Sequence, residues 1–208
     1  MTKNIEKHIP KNQEEDPRVA SKVASALDGD RASFEELMNI YKEKIFRMVY
    51  YRTGSRMDAE DLTQDIFMKA FTNLHTLKDK TRFRSWLFSI AVNRVRDFHK
   101  KKRFLVFFDR GENMKDPDTS NMEMHDDPQE VNHMMRQEFW SHVRNFADKL
   151  SRWEREVFLL RFLDQLTIRE IAQTLSKSES AIKTHLYRAI KKFKENHELT
   201  RLLSGEVK

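Results

Sequence analysis

Residues 167–195, TIREIAQTLSKSESAIKTHLYRAIKKFKE, admit very few folds. Thr167 and Glu170 have the spacing of a capping box, in which hydroxyl and carboxylate each accept from the other's backbone N–H. Ile171, Ala172 and Leu175 follow at helical intervals, so a short helix is expected to start after Thr167 and end at Ser176. Ser178 is placed to cap a second helix, in which Ile182, Leu186, Ala189, Ile190 and Phe193 form one inward stripe at about 100° per residue. Ser180, Lys183, Thr184, Tyr187, Arg188 and Lys191 are left pointing outward. Two short helices joined by a tight polar turn, the second presenting hydroxyls, an aromatic ring and cations, have the form of a helix-turn-helix that sets its second helix into the major groove of DNA. An ordinary surface hairpin in a helical bundle, basic only because it is solvated, fits the same stretch.

The remainder is equally helical in pattern. With four Gly and four Pro in 208 residues and few β-branched alternations, the chain is expected to be all-α: two small helical domains joined by an acidic flexible linker, the second containing the helix-turn-helix. A formal charge of +6 favours a polyanionic partner only modestly, because 39 Lys+Arg stand against 33 Asp+Glu. Where the charges fall matters more than their sum. The absence of cysteine excludes a disulfide framework and a thiolate zinc site. No apolar run approaches the roughly 18 residues of a membrane span, and the polar N-terminus does not read as a signal peptide. A soluble, cytoplasmic protein is expected, without membrane insertion.

Taken in order, residues 1–17 lack periodicity and are expected to be disordered. A first helix fits Arg18 to Leu27, broken at Asp28-Gly29-Asp30. Ser33 and Glu36 repeat the capping-box spacing and open a helix with Phe34, Leu37, Met38, Tyr41, Ile45, Met48 and Val49 at core positions. After Thr53-Gly54-Ser55, a helix from Asp58 to Leu74 sets Ala59, Leu62, Ile66 and Ala70 on one side and Asp58, Asp61, Gln64 and Asp65 on the other. Clustered carboxylates can hold a divalent metal for hydrolysis. Lying on one helix face with no histidine near in sequence, these fit a solvated face or a docking surface for a basic partner better. A polar loop over 74–83 leads to a helix from Ser85 to the Lys100–Arg103 run, with Trp86, Leu87, Ile90, Ala91 and Phe98 apolar. Opposite them, Ser89, Asn93, Arg96, Lys100 and Arg103 make a basic stripe with one amide, suited to a phosphate backbone and a base. Residues 104–130 then turn acidic after an apolar Phe104–Phe108, and a second domain over 131–203 begins with Phe139, Trp140, Val143, Phe146 and Leu150. Ser151 and Glu154 give it a further capping box ahead of Val157, Phe158, Leu159 and Phe162.

Three of these stretches together resemble the bacterial RNA polymerase sigma factors of the small extracytoplasmic-function (ECF) class. DAEDLTQDIFMKAF at 58–71 is similar to the family's polymerase-binding helix, and FRSWLFSIAVNRVRDFHKKKR at 83–103 to the helix that handles the minus-10 promoter element. LSRWEREVFLLRFLDQLTIREIAQTL with SAIKTHLYRAIKKF is similar to the domain that reads the minus-35 element. The resemblance covers about residues 20–103 and 131–195, in the family's order.

That resemblance implies roles. Asp61, Gln64 and Asp65 would dock on the clamp helices of the polymerase largest subunit, with the polymerase flap as a further implied contact. Asn93, with Trp86, Arg96, Lys100, Arg103 and the loop at 75–82, would capture a flipped base and hold the melted strand. Ser180, Lys183, Thr184, Tyr187, Arg188 and Lys191 would contact the minus-35 duplex. The acidic linker would run through polymerase channels otherwise filled by nucleic acid. The implied partners are core RNA polymerase, promoter DNA and an anti-sigma factor, with no catalytic residue, no metal and no cofactor. A stand-alone helix-turn-helix regulator, likewise DNA-binding and dimeric, leaves the acidic helix unexplained; a helical metal-dependent hydrolase is the alternative of a different kind. Two departures stand out: Ser176 occupies a turn where the family commonly has Gly, which implies a Cβ at positive φ. The apolar Phe104–Phe108 either finishes the first domain or packs on a partner such as the anti-sigma factor.

Overall fold

The computed structural model describes residues 17–109, 142–143 and 145–196. These fall into two compact units, each with its own core, and every regular element among the described residues is helical. The expected N-terminal disorder, most of the acidic linker, and Phe139 and Trp140 lie outside the described residues. No described helix is long and apolar enough to cross a membrane.

The first unit contains α1 (Pro17–Leu27), α2 (Arg31–Thr53), α3 (Arg56–Asn73), single 3₁₀ turns at Leu74–Thr76 and Lys80–Arg82, and α4 (Phe83–Asp109). α2 is its hub, packing on α1, α3 and α4. Its inward row of Phe34, Leu37, Tyr41, Ile45, Met48 and Val49 is buried against Ala59, Leu62, Ile66, Phe67 and Ala70 of α3. Each fully buried aliphatic side chain of this kind contributes about 1.5–3 kcal/mol. The end of α2 is set by Gly54 at φ 71°, whose N–H reaches the Tyr50 carbonyl at 2.8 Å. Only glycine enters that left-handed conformation without cost.

The first unit differs from the sequence reading in several places, among them the start of α4 at Phe83 rather than Ser85. α2 is capped by Asp30, not Ser33: the Asp30 carboxylate accepts from the Ala32 N–H at 3.0 Å and from the Ser33 hydroxyl at 2.5 Å. An ionised carboxylate one turn earlier outcompetes a hydroxyl for the same orphan N–H groups. α3 begins two residues early, because Ser55 accepts from the Asp58 N–H at 3.2 Å. The polar loop is ordered into its two turns by burying Leu74 and Leu77. Finally, α4 runs through Phe104–Phe108 to Asp109, so the linker boundary placed at 104 falls inside a helix. The sequence there has no Gly, Pro or capping residue to stop it.

The second unit holds helical residues 145–148, α5 (Arg152–Phe162), α6 (Ile168–Leu175) and α7 (Glu179–Glu195). The ring of Phe146 meets Phe158 at 5.4 Å and Phe193 at 5.3 Å, both edge-on, with Leu160, Leu166, Ile171 and Ile182 fully buried around them. Both expected capping boxes are present, at Ser151/Glu154 and Thr167/Glu170. Ser176 takes φ 52°, ψ 48°, the left-handed conformation expected of it, and Gln165 does the same at φ 56°.

Candidate polymerase and nucleic-acid interfaces

The first candidate surface is the outer face of α3. Asp61, Gln64 and Asp65 are all exposed. Met57 and Met68, at 71% and 69% exposure, sit four residues before Asp61 and three after Asp65, on the same side. Phe71 extends the apolar margin, half exposed, its ring edge-on to Phe34 at 5.0 Å. The face is therefore mixed: carboxylates and an amide bounded by large apolar side chains. The acids were legible in the sequence, and the methionines, four and three residues from them, could have been found by the same spacing. Asp65 also accepts an ion-paired hydrogen bond from Arg94 of α4. Nothing local announces that pair, because its members lie 29 positions apart. Among the described residues no three His, Cys, Asp or Glu side chains gather as a divalent ion requires.

The second surface is the basic side of α4. Asn93, Lys100 and Arg103 are exposed, and Arg96 is half-buried. Arg96 donates to the Asn93 side-chain oxygen at 3.2 Å, which orients the amide. The Ser89 hydroxyl is turned to the Trp86 carbonyl at 2.6 Å. Trp86 is half-buried with its ring 5.8 Å from that of the buried Phe83, so it serves the core and the surface together. Buried Phe88, Val92 and Val95 carry more of the helix's inner face than the sequence reading gave them, while Ile90 and Phe98 are only half-buried. His99 ties the helix to the end of α2 through its Nε2, 2.9 Å from the Arg52 carbonyl.

On α7, all six outward residues, Ser180, Lys183, Thr184, Tyr187, Arg188 and Lys191, are exposed. Ser178 caps the helix by accepting from the Ala181 N–H at 3.2 Å. The Lys183 ammonium lies 4.0 Å from Glu179, a surface pair too weak to hold it. Lys191 and its neighbour Lys192 part company: the Lys192 ammonium turns inward to Glu154 at 2.6 Å. That bond, followed by the Ser151 N–H at 3.0 Å, holds the Glu154 carboxyl down to about 2 although burial opposes it. An ion pair thus fastens the far half of α7 to the start of α5.

Two helical modules with these surfaces define a class. Residues 37–104 match the family description Sigma-70 region 2, and residues 143–193 match Sigma-70, region 4. The chain is 30% identical over 200 residues to the ECF RNA polymerase sigma factor BldN of Streptomyces coelicolor, covering 96% of this chain and 71% of that one. It is 25% identical over 177 residues to the ECF RNA polymerase sigma factor SigW of Bacillus subtilis, covering 82% and 91%. Among solved structures, the sigma factor CnrH in complex with the cytosolic domain of CnrY has the same fold, with a TM-score of 0.63 at 22% identity over 91% of this chain and 99% of that one. The chain belongs to the ECF RNA polymerase sigma factors. It binds core RNA polymerase and directs promoter-specific initiation of transcription.

Proposed function

We propose that the three surfaces divide this work. The α3 face of Met57, Asp61, Gln64, Asp65 and Met68 docks on the polymerase largest subunit, whose clamp helices would have to supply both cations and apolar cover. The α4 stripe of Asn93, Arg96, Lys100 and Arg103, with Trp86, takes the minus-10 strand once it is separated. Extruding a base costs a few kcal/mol of pairing and stacking, which an amide, a ring and backbone cations on one helix would offset. The outward face of α7 reads the minus-35 duplex, with its domain seated on the flap. The domains accordingly run over 18–103 and 131–203, the first extended by the end of α4. The protein performs no chemistry of its own; the polymerase does. It works in the bacterial cytoplasm and is held inactive by an anti-sigma factor.

The observation that carries this reading is the separation of two chemistries on adjoining helices of one domain: acids with methionines on α3, cations with an amide on α4. A stand-alone DNA-binding regulator has no use for the first. The test is copurification of full-length protein with core polymerase. An Asp61→Lys/Asp65→Lys variant should lose core binding while its thermal unfolding stays cooperative. Undiminished binding would refute the docking assignment.

A further inference from the structure

In the second domain three side chains from three places converge on one indole. Trp153, one residue into α5, is half-buried. The ammonium of Lys177, in the turn between α6 and α7, stands 4.0 Å from its ring centroid, well inside the range of a cation–π contact. The His185 ring, from the second turn of α7, lies 6.4 Å away and 29° from parallel. Its buried Nδ1 has no hydrogen-bond partner, so on that side the ring is held by packing on the indole rather than by a polar tie. The Arg152 guanidinium adds a second cation 5.3 Å from the same ring.

What these contacts constrain is the entry of α7. The backbone of the turn is already under load, since Ser176 sits at positive φ and the Lys177 N–H closes back on the Ala172 carbonyl at 2.9 Å. Ile182, fully buried in the first turn, and Ala189 beyond it anchor the inner stripe, and Lys192 pairs with Glu154. These fix the helix's rotation and its far end. Ile182 is a single pivot in the first two turns, where Ser180, Lys183 and Thr184 project, and one buried side chain does not by itself set their tilt. At about 100° per residue His185 lies roughly opposite Lys183 and Tyr187, so an indole touching both Lys177 and His185 supports α7 from behind its outward face.

We propose that Trp153 is a positioning residue for minus-35 recognition: through Lys177 and His185 it sets the tilt of the reading helix without touching DNA. Side chains that meet base edges must be held to within about 0.5 Å by the groups behind them, and here one ring holds both the turn and the helix. The inference rests on the reading of α7 as the minus-35 helix.

The experiment uses full-length protein reconstituted with core polymerase on a promoter selected from a random-sequence library. It compares open-complex formation on the intact upstream element with that on a scrambled one. Trp153→Leu should lower the intact-to-scrambled ratio about tenfold, and Trp153→Phe, which keeps a ring, should restore most of it. Lys177→Met should lower the ratio about threefold while leaving the salt dependence of binding unchanged. A lysine that met phosphate would instead reduce the salt slope by about 1 when removed. If Trp153→Leu unfolds the domain, Lys177→Met decides the matter: an unchanged ratio, or a reduced slope, overturns the positioning role. Lys183→Ala and Arg188→Ala serve as the reference. Should both keep a full ratio, the reading of α7 fails; should they lose it while Trp153→Leu and Lys177→Met do not, the reading stands and the positioning role falls.

Discussion

α3 and α7 are helices of nearly equal length, 18 and 17 residues, each burying one stripe against its own domain. Their outward faces are chemically opposed. On α3, methionines stand in water on either side of carboxylates; on α7, hydroxyls, a tyrosine and cations stand free of large aliphatic groups. The difference fits the separate roles proposed for the two faces. Exposed apolar side chains beside acids suit a protein surface that excludes water and supplies cations, whereas a hydrated polyanion is met by charge and hydrogen bonds.

The contrast can be broken most severely from the α3 side. Met57→Asp/Met68→Asp adds acid to an acidic face, so a docking site governed by charge alone would tolerate it. We expect core polymerase affinity to fall by about a hundredfold or more, some 3 kcal/mol, measured by competition for fluorescently labelled core. On α7, Lys183→Ala and Arg188→Ala should each weaken binding to a duplex carrying the upstream element by about 1–3 kcal/mol. Normal binding in both would remove the contrast altogether. Between these two faces, Asn93→Ala should leave duplex binding intact and reduce permanganate reactivity of the melted bases. Normal melting would show that the amide is not what α4 contributes.

Smaller effects test how α7 is held. Glu154 is lowered in the folded domain to about 2 from an ordinary value near 4.5. Its contribution is therefore complete above about pH 4.5 and is lost as pH falls toward 2. Lys192→Met should destabilise the second domain by about 1–2 kcal/mol at neutral pH and flatten its acid dependence over that window, read by thermal unfolding. Ser176→Gly, which relieves a Cβ at φ 52°, should stabilise the same domain by about 0.5–1 kcal/mol.

Much of this architecture was legible in the residues. Thr167/Glu170 and Ser151/Glu154 announced two helix starts because both halves of each box are local, whereas the positive φ of Ser176 was expected only from the family resemblance, which has Gly at that turn. Ser33/Glu36 has the same spacing and misled, since Asp30 stands three residues earlier with a charged acceptor. The outward residues of α7 followed from periodicity alone. What could not be read were pairings across helices. Asp65 with Arg94, His99 with the end of α2, and Lys192 with Glu154 join residues 29 to 47 positions apart, and nothing in the order of residues says which distant group each will meet.

The continuation of α4 to Asp109 makes that helix a ruler. Its 27 residues span about 40 Å, and the 16 steps from Asn93 to Asp109 cover about 24 Å of them. The acidic stretch after Asp109 thus starts some seven base-pair rises away from the amide proposed to catch the flipped base. Asn93 and the start of the acidic stretch are spaced by one helix, and inserting or deleting a turn in it would change that distance by about 5.4 Å at a time.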